Sequence, residues 1–197
     1  FGCVDTAIRP IQVYPAVTTA IDAPDDGCSP FTVSITDQGS GANQWLWDMG
    51  DGTVLVGSTV NHTYINTTSS DQTRVITLVA TSAFGCTDTL THAVVIHPTP
   101  NAAFQATPFS QQFPAATVDI TNNTPTGDWT YTWNMGDGTT STDQYPADHT
   151  YSTWGTFTIS LVVNANGCTD TTSQQVTIGP PLPTAGFIGQ GEGCAPL

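Results

Sequence analysis

The sequence predicts an all-β chain of tandem sandwiches, and three observations carry that expectation. Apolar residues alternate with polar ones in short Thr- and Val-rich runs, the period-two pattern of strands with one wet face. No stretch shows the 3.6-residue periodicity of an amphipathic helix. The pattern also returns at a fixed interval. Phe84-Gly85-Cys86-Thr87-Asp88-Thr89 follows Phe1-Gly2-Cys3-Val4-Asp5-Thr6 by 83 residues (86 − 3 = 83), and Asn166-Gly167-Cys168-Thr169-Asp170-Thr171 follows by a further 82 (168 − 86 = 82). A fixed period of this length means tandem domains.

Other landmarks keep the same step. Pro15, Pro98 and Pro180 recur, Pro183-Thr184-Ala185-Gly186-Phe187 echoes Pro100-Asn101-Ala102-Ala103-Phe104, and Cys194-Ala195-Pro196 echoes Cys28-Ser29-Pro30. The expected division is residues 1–15 as the last strand of a preceding repeat, 16–98 and 99–182 as whole repeats, and 183–197 as the start of a following one. On this reading the chain is a stretch of a longer polypeptide. The joints His97-Pro98-Thr99-Pro100 and Gly179-Pro180-Pro181-Leu182-Pro183 are short and proline-rich. Such joints are semi-rigid, which predicts a rod.

Within the first whole repeat, strand A is expected near residues 18–21 and strand B at 32–36. Strand C, at 44–49, is the best marked. Trp45, Trp47 and Met49 alternate with Leu46 and Asp48, so one face is large and apolar. Tyr131, Trp133 and Met135 repeat that face. Gly50-Asp51-Gly52, and again Gly136-Asp137-Gly138, then break the strand. Glycine adopts positive φ and an Asp carboxylate accepts backbone N–H groups, so each triplet closes a tight turn. Strand C′ follows at 54–56, an E region precedes His62, and strands F and G occupy 74–81 and 89–96. About seven strands in some 80-odd residues predict an immunoglobulin-like sandwich.

Composition narrows the function. The chain has 197 residues, with 16 acidic residues against two arginines, Arg9 and Arg74, and a formal charge of −14. So acidic a chain should not bind nucleic acid or an anionic membrane surface by counterion release. No apolar run is long enough to span a bilayer. Only 9% of residues are charged, so solubility rests on Thr, Ser, Asn and Gln. The 38% hydrophobic content lies in alternating runs that include five Trp, which is the pattern of a packed core and not of disorder.

Trp47-Asp48-Met49-Gly50-Asp51-Gly52, then His62-Thr63-Tyr64, then the strand at 75–80, resembles a PKD (polycystic kidney disease) domain. The second copy runs Trp133-Asn134-Met135-Gly136-Asp137-Gly138, His149-Thr150-Tyr151 and a strand at 157–163. Met49 and Met135 stand where the family usually has Phe, an apolar swap that a core tolerates. Asn134 stands where the family usually has Asp. The resemblance spans nearly the whole chain and implies the same sandwich fold. It also implies extracellular or cell-surface roles in protein–protein or protein–carbohydrate contact. The Cys-Xaa-Pro and Gly-Cys-Thr-Asp-Thr variants look like arrays in very large surface proteins of gliding and predatory Gram-negative bacteria, exported by type 9 secretion.

Several residue sets invite chemistry. Asp48, Asp51 and Asp137 suggest the paired carboxylates of a glycosidase, but turn chemistry accounts for them better, because Asp48 becomes Asn134 in the sister repeat. No catalytic residue is assigned and the chain is not expected to be an enzyme. His62 and His149 each stand two residues before a Tyr at a strand corner, the place where a Tyr hydroxyl bonds back to the backbone, so both are read as structural and not as metal ligands. Asp22, Asp25 and Asp26 leave Ca²⁺ open as a cofactor. Some PKD domains bind calcium through an Asp-rich B–C loop, and here residues 37–43 hold one Asp. No other cofactor is expected. Trp129 and Trp154 have no Trp counterparts in the first repeat and offer either a glycan platform or packing at a domain joint.

In an immunoglobulin-like sandwich Cys28 lies at the bottom, just before strand B, and Cys86 at the top, in the F–G hairpin. That separation exceeds the roughly 7 Å Cα limit for a disulfide. In a head-to-tail array Cys28 is instead expected to face Cys168, with Cys3 and Cys86 pairing to upstream repeats and Cys194 to a downstream one. Thr6, Thr89 and Thr171 each follow an Asp, in the Asp-Thr-apolar/Thr pattern that the bacterial group just named uses for O-glycosylation. On strand G, Ile11/Val13, Val94/Ile96 and Val176/Ile178 are expected to face the core. The three threonines share the opposite parity, with Gln12, Val95 and Thr177, and so are expected to face water.

Two functional expectations follow. The first is a structural and interaction segment of a large extracellular stalk, adhesin or filament, partnered by neighbouring repeats of its own polypeptide and by protein subunits or surface glycans. The second is a spacer or carbohydrate-binding module of a secreted hydrolase or protease.

Overall fold

The computed structural model describes residues 1–186. Two compact units are present, Phe1–Thr99 together with Ala165–Cys168, and Pro100–Asn164 together with the chain from Thr169 onward. Each is an all-β sandwich of a three-stranded and a five-stranded sheet. The start of a following repeat expected at residues 183–197, with Cys194, lies mostly outside the described residues.

In the first unit the strands are β1 (Ile21–Asp22), β2 (Asp26–Cys28), β3 (Phe31–Asp37), β4 (Gln44–Asp48), β5 (Val54–Val56), β6 (Thr59–Tyr64), β7 (Gln72–Thr81) and β8 (Thr87–His97). One sheet runs β1-β3-β6 and the other β2-β8-β7-β4-β5. All pairings are antiparallel except that of β2 with β8, which is parallel and sets Cys28 against His97. The inward residues of the two sheets meet as Val33 and Ile35, Trp47 and Met49, Val60 and Tyr64, Ile76 and Leu78, Val94 and Ile96. They alternate with wet neighbours along each strand because the pleat has a period of two.

The second unit repeats this plan with β9 (Phe104–Thr107), β10 (Ser110–Gln112), β11 (Thr117–Asn122), β12 (Thr130–Asn134), β13 (Thr140–Ser141), β14 (His149–Thr150), β15 (Gly155–Ala165) and β16 (Cys168–Gly179). Its sheets run β14-β11-β9 and β10-β16-β15-β12-β13. Trp133, Leu161, Val176 and Ile178 take the core places of Trp47, Leu78, Val94 and Ile96.

The structure corrects the sequence reading at two places. Strand A is split. Thr18 makes only an isolated bridge to Ser40, β1 pairs with β3, and after Pro24 the chain crosses to the other sheet as β2. Proline lacks the N–H that a continuing ladder needs, so the crossing falls there. Pro108 divides β9 from β10 in the same way. The E strand does not stop before His62 but carries it, because β6 runs on to Tyr64. Apart from these, residues 1–17 form no strand here, and Ile11 and Val13 are 86% and 85% exposed. Among the described residues no sheet partner satisfies their backbone groups, and without one an isolated strand does not hold.

Candidate functional site

The recurring turn after β4 and β12 gathers most of the residues with chemical potential. Trp47 is fully buried and donates from Nε1 to the Gly57 carbonyl at 2.8 Å. Trp133 does the same to the Asp143 carbonyl at 2.9 Å. Asp48 Oδ1 accepts from the Gly50 N–H at 2.9 Å, and Asn134 Oδ1 accepts from the Gly136 N–H at 2.8 Å. The turn uses one side-chain oxygen, which an amide supplies as well as a carboxylate. That is why Asn replaces Asp here without loss of the turn.

Gly50 and Gly136 have φ of 73° and 85°, in the left-handed region. A Cβ on Gly50 would stand 2.6 Å from the Val75 carbonyl oxygen, and one on Gly136 2.7 Å from the Thr158 nitrogen. Each position needs glycine twice over, for its backbone angle and for its close approach to the neighbouring strand. Gly52 and Gly138 also have positive φ but open surroundings.

Asp51 Oδ1 accepts from the Thr53 N–H at 2.9 Å, while its Oδ2 lies 2.7 Å from His62 Nε2. Asp137 Oδ1 accepts from the Thr139 N–H and hydroxyl at 3.0 and 2.7 Å, and its Oδ2 lies 2.8 Å from His149 Nε2. Partial burial pushes the Asp137 carboxyl up. The bonds from Thr139 and His149 outweigh it and hold the group at about 2. The balance at Asp51 is the same, with burial opposed by Thr53 and His62, and its carboxyl is also held below the ordinary value.

Each histidine then meets its tyrosine edge-on, His62 with Tyr64 at 4.5 Å between ring centroids and His149 with Tyr151 at 4.6 Å. The tyrosine hydroxyls close the circuit by donating to the Met49 and Met135 carbonyls, both at 2.8 Å. Burial, with a smaller push from Asp51 or Asp137, raises both phenols to about 12. A phenol with that value stays a donor at any physiological pH. The arrangement therefore ties the end of strand C to β6 or β14. It spends both oxygens of Asp51 and Asp137 on internal bonds.

Among the described residues no group of three or more His, Cys, Asp and Glu side chains is placed to hold a metal. The candidate calcium residues are dispersed. Asp25 lies 3.5 Å from His92 Nε2, and Asp26 lies 3.9 Å from His97 Nε2. Asp22 is an exposed residue of β1. Trp129 packs in part against the core of its own unit and donates to the Pro125 carbonyl, whereas Trp154 is 60% exposed.

Cys28 and Cys168 are joined by a disulfide with a Cα–Cα distance of 5.6 Å. Cys3 and Cys86 are free thiols. Thr89 on β8 and Thr171 on β16 are exposed, as is Thr6, which lies outside any strand.

Sequence reasoning missed the role of the Asp before each of these threonines. Asp88 Oδ2 accepts from the N–H and hydroxyl of Thr19 at 2.8 and 2.9 Å. Asp170 Oδ2 accepts from the Ala102 N–H at 2.7 Å. The Thr19 hydroxyl and backbone, with the Thr89 N–H, hold the Asp88 carboxyl below its ordinary value. Asp88 and Asp170 thus tie the start of each unit to its last strand. Their recurrence at one repeat position was the available signal. A similar clamp at Asp37 is bonded to Ala20, Gly39 and Trp45 Nε1, and at the equivalent place Asn122 repeats the bond to the N–H two residues on, that of Thr124.

Two sandwiches with these paired locks define a tandem array of immunoglobulin-like modules. The PKD domain family matches the chain twice, over residues 12–97 and 95–178, and the chain belongs to that family. Among solved structures it is similar to the PKD1 domain of Vibrio anguillarum Epp, at 20% identity over 42% of this chain and 94% of that one, with a TM-score of 0.35. It is also similar to the fibronectin(III)-like modules of Clostridium thermocellum CbhA, at 13% identity over 86% and 99% of the two chains, with a TM-score of 0.37.

Proposed function

We propose that this chain is a structural and interaction segment of a large extracellular protein, a stalk, adhesin or filament in which PKD domains space and present a distal site. The observation that supports this most directly is the fate of the recurring side chains. Asp51, His62 and Tyr64, and again Asp137, His149 and Tyr151, spend their polar atoms inside the fold in the same way. A module whose polar motif serves only its own rigidity transmits position and force and carries out no chemistry.

Its partners on this reading are neighbouring repeats of the same polypeptide, with protein subunits or surface glycans at the distal end. Type 9 export and O-glycosylation at Thr6, Thr89 and Thr171 belong to the same proposal, and exposure of the three residues supports it. Sugar there would shield a sparsely charged surface from proteases. Mild protease treatment of intact native cells tests the reading. Release of peptides from residues 1–182, with sugar on the three threonines in intact glycopeptide spectra, is the expected result. Peptides found only after lysis would refute the surface location, and bare threonines in native material would refute the glycans.

A second reading, a spacer or carbohydrate-binding module of a secreted hydrolase, is favoured by the exposed ring of Trp154. Saccharide binding that is lost in Trp154→Ala would support it. A hydrolase domain elsewhere in the native polypeptide would support it as well.

A further inference from the structure

Cys86 is a half-buried free thiol in the turn between β7 and β8, where its N–H donates to the Ser82 hydroxyl and its carbonyl accepts from the Ser82 N–H. Its counterpart one repeat later, Cys168, is bonded to Cys28. The surroundings of that bond can be followed residue by residue. Cys28 ends β2 directly beside His97. His97 Nδ1 lies 2.8 Å from an Asp71 oxygen, and the same carboxylate accepts from the Asn166 amide at 3.0 Å. The turn that carries Cys168 is thus seated, through Asn166, next to the last residue of β8.

The same relation between turn and residue recurs one period earlier. Tyr14 precedes His97 by one period (97 − 14 = 83), and Phe84 precedes Asn166 by one period (166 − 84 = 82). Tyr14 and Phe84 stack with ring centroids 4.4 Å apart and planes 14° from parallel. The turn that carries Cys86 is therefore seated on the residue equivalent to His97. In the later copy the place beside that residue belongs to Cys28.

We propose that Cys86 forms a disulfide with a cysteine of the PKD-like repeat that precedes this one, at the position equivalent to Cys28. The inference rests on the reading of the chain as part of a repeat array. Each sulfur loses its proton, the pair gives up two electrons as the S–S bond forms, and a disulfide-bearing oxidant of the exporting cell is reduced to its dithiol. The link is not general to every repeat. Gln112, paired with Gly179 as Cys28 is with His97, occupies the position in the second unit.

Native full-length polypeptide, alkylated before any reduction and then digested, tests the proposal. The expected product is the Cys86 peptide joined to an upstream cysteine peptide, at a mass two hydrogens below the sum of the reduced pair. Cys86 alkylated as a free thiol would overturn the proposal while an upstream PKD-like repeat in the reduced map keeps the array reading intact. A bond from Cys86 to any cysteine of residues 1–197 would do the same. A reduced map with no such upstream repeat would overturn both.

Discussion

Pulling the two ends of this chain apart should stretch very little of it until one bond is cut. Cys28 and Cys168 close a covalent ring across a sequence separation of 140 residues. Tension entering at Cys28 passes through the sulfurs to Cys168 and leaves the backbone between them unloaded. Every buried residue of the first core, from Val33 to Ile96, lies inside that ring. So does most of the second core, with Val176 and Ile178 of β16 outside it. A fully extended chain spans roughly 3.6 Å per residue, so opening a ring of that separation releases about 500 Å. Single-molecule force spectroscopy with handles at both termini reads this directly. The oxidised protein should yield only the short segments outside the ring. Reductant, or the Cys28→Ser/Cys168→Ser double variant, should add about 500 Å of contour length. Equal final lengths with and without reductant would refute the reasoning.

Three further outcomes follow from the two cores and their turns. Trp47→Ala or Trp133→Ala removes a fully buried indole and should lower stability by about 3–5 kcal/mol, read as the loss of one of two melting transitions with the other retained. Gly52→Ala should cost about 1–2 kcal/mol for its left-handed backbone alone, and Gly50→Ala more, because its Cβ also meets the β7 backbone; equal costs by urea titration would count against the close approach. For pH, the Asp137 carboxyl sits at about 2 in the fold against an ordinary value of 3.8. A depressed folded value contributes stability that is complete above the ordinary value and is lost as pH falls through about 2. Urea midpoints should therefore decline between those two values, and Asp137→Asn should flatten that decline, while an unchanged slope would show that the carboxylate contributes nothing.

Much of the fold was legible because its signals are local. Trp47 and Met49 declare the inward face of β4 by their spacing, and the Gly-Asp-Gly triplet declares the turn by its backbone needs. Recurrence then separated structure from chemistry. The exchange of Asp48 for Asn134 already pointed to a turn oxygen, and the structure shows the single N–H that each one accepts. The strand-A switch was less legible. Pro24 marks where a ladder must stop, but whether the chain then joins the other sheet depends on β8 offering it a free edge.

By itself, the sequence determined the period, the alternation, the buried tryptophans and the turns, since each follows from side-chain spacing or backbone freedom within a few residues. Only the tertiary structure decided the partners of atoms far apart in the chain. Asp88 is committed to Thr19, Asp51 to His62 and Tyr64 to the Met49 carbonyl. It also decided which nominal strand residues have a sheet to join. Ile11 and Val13 carry the same alternation as Val94 and Ile96, and among the described residues they stand exposed with no strand to take their N–H and C=O groups. Alternation states which face a residue would turn inward, and only a paired backbone provides an inside for it to face.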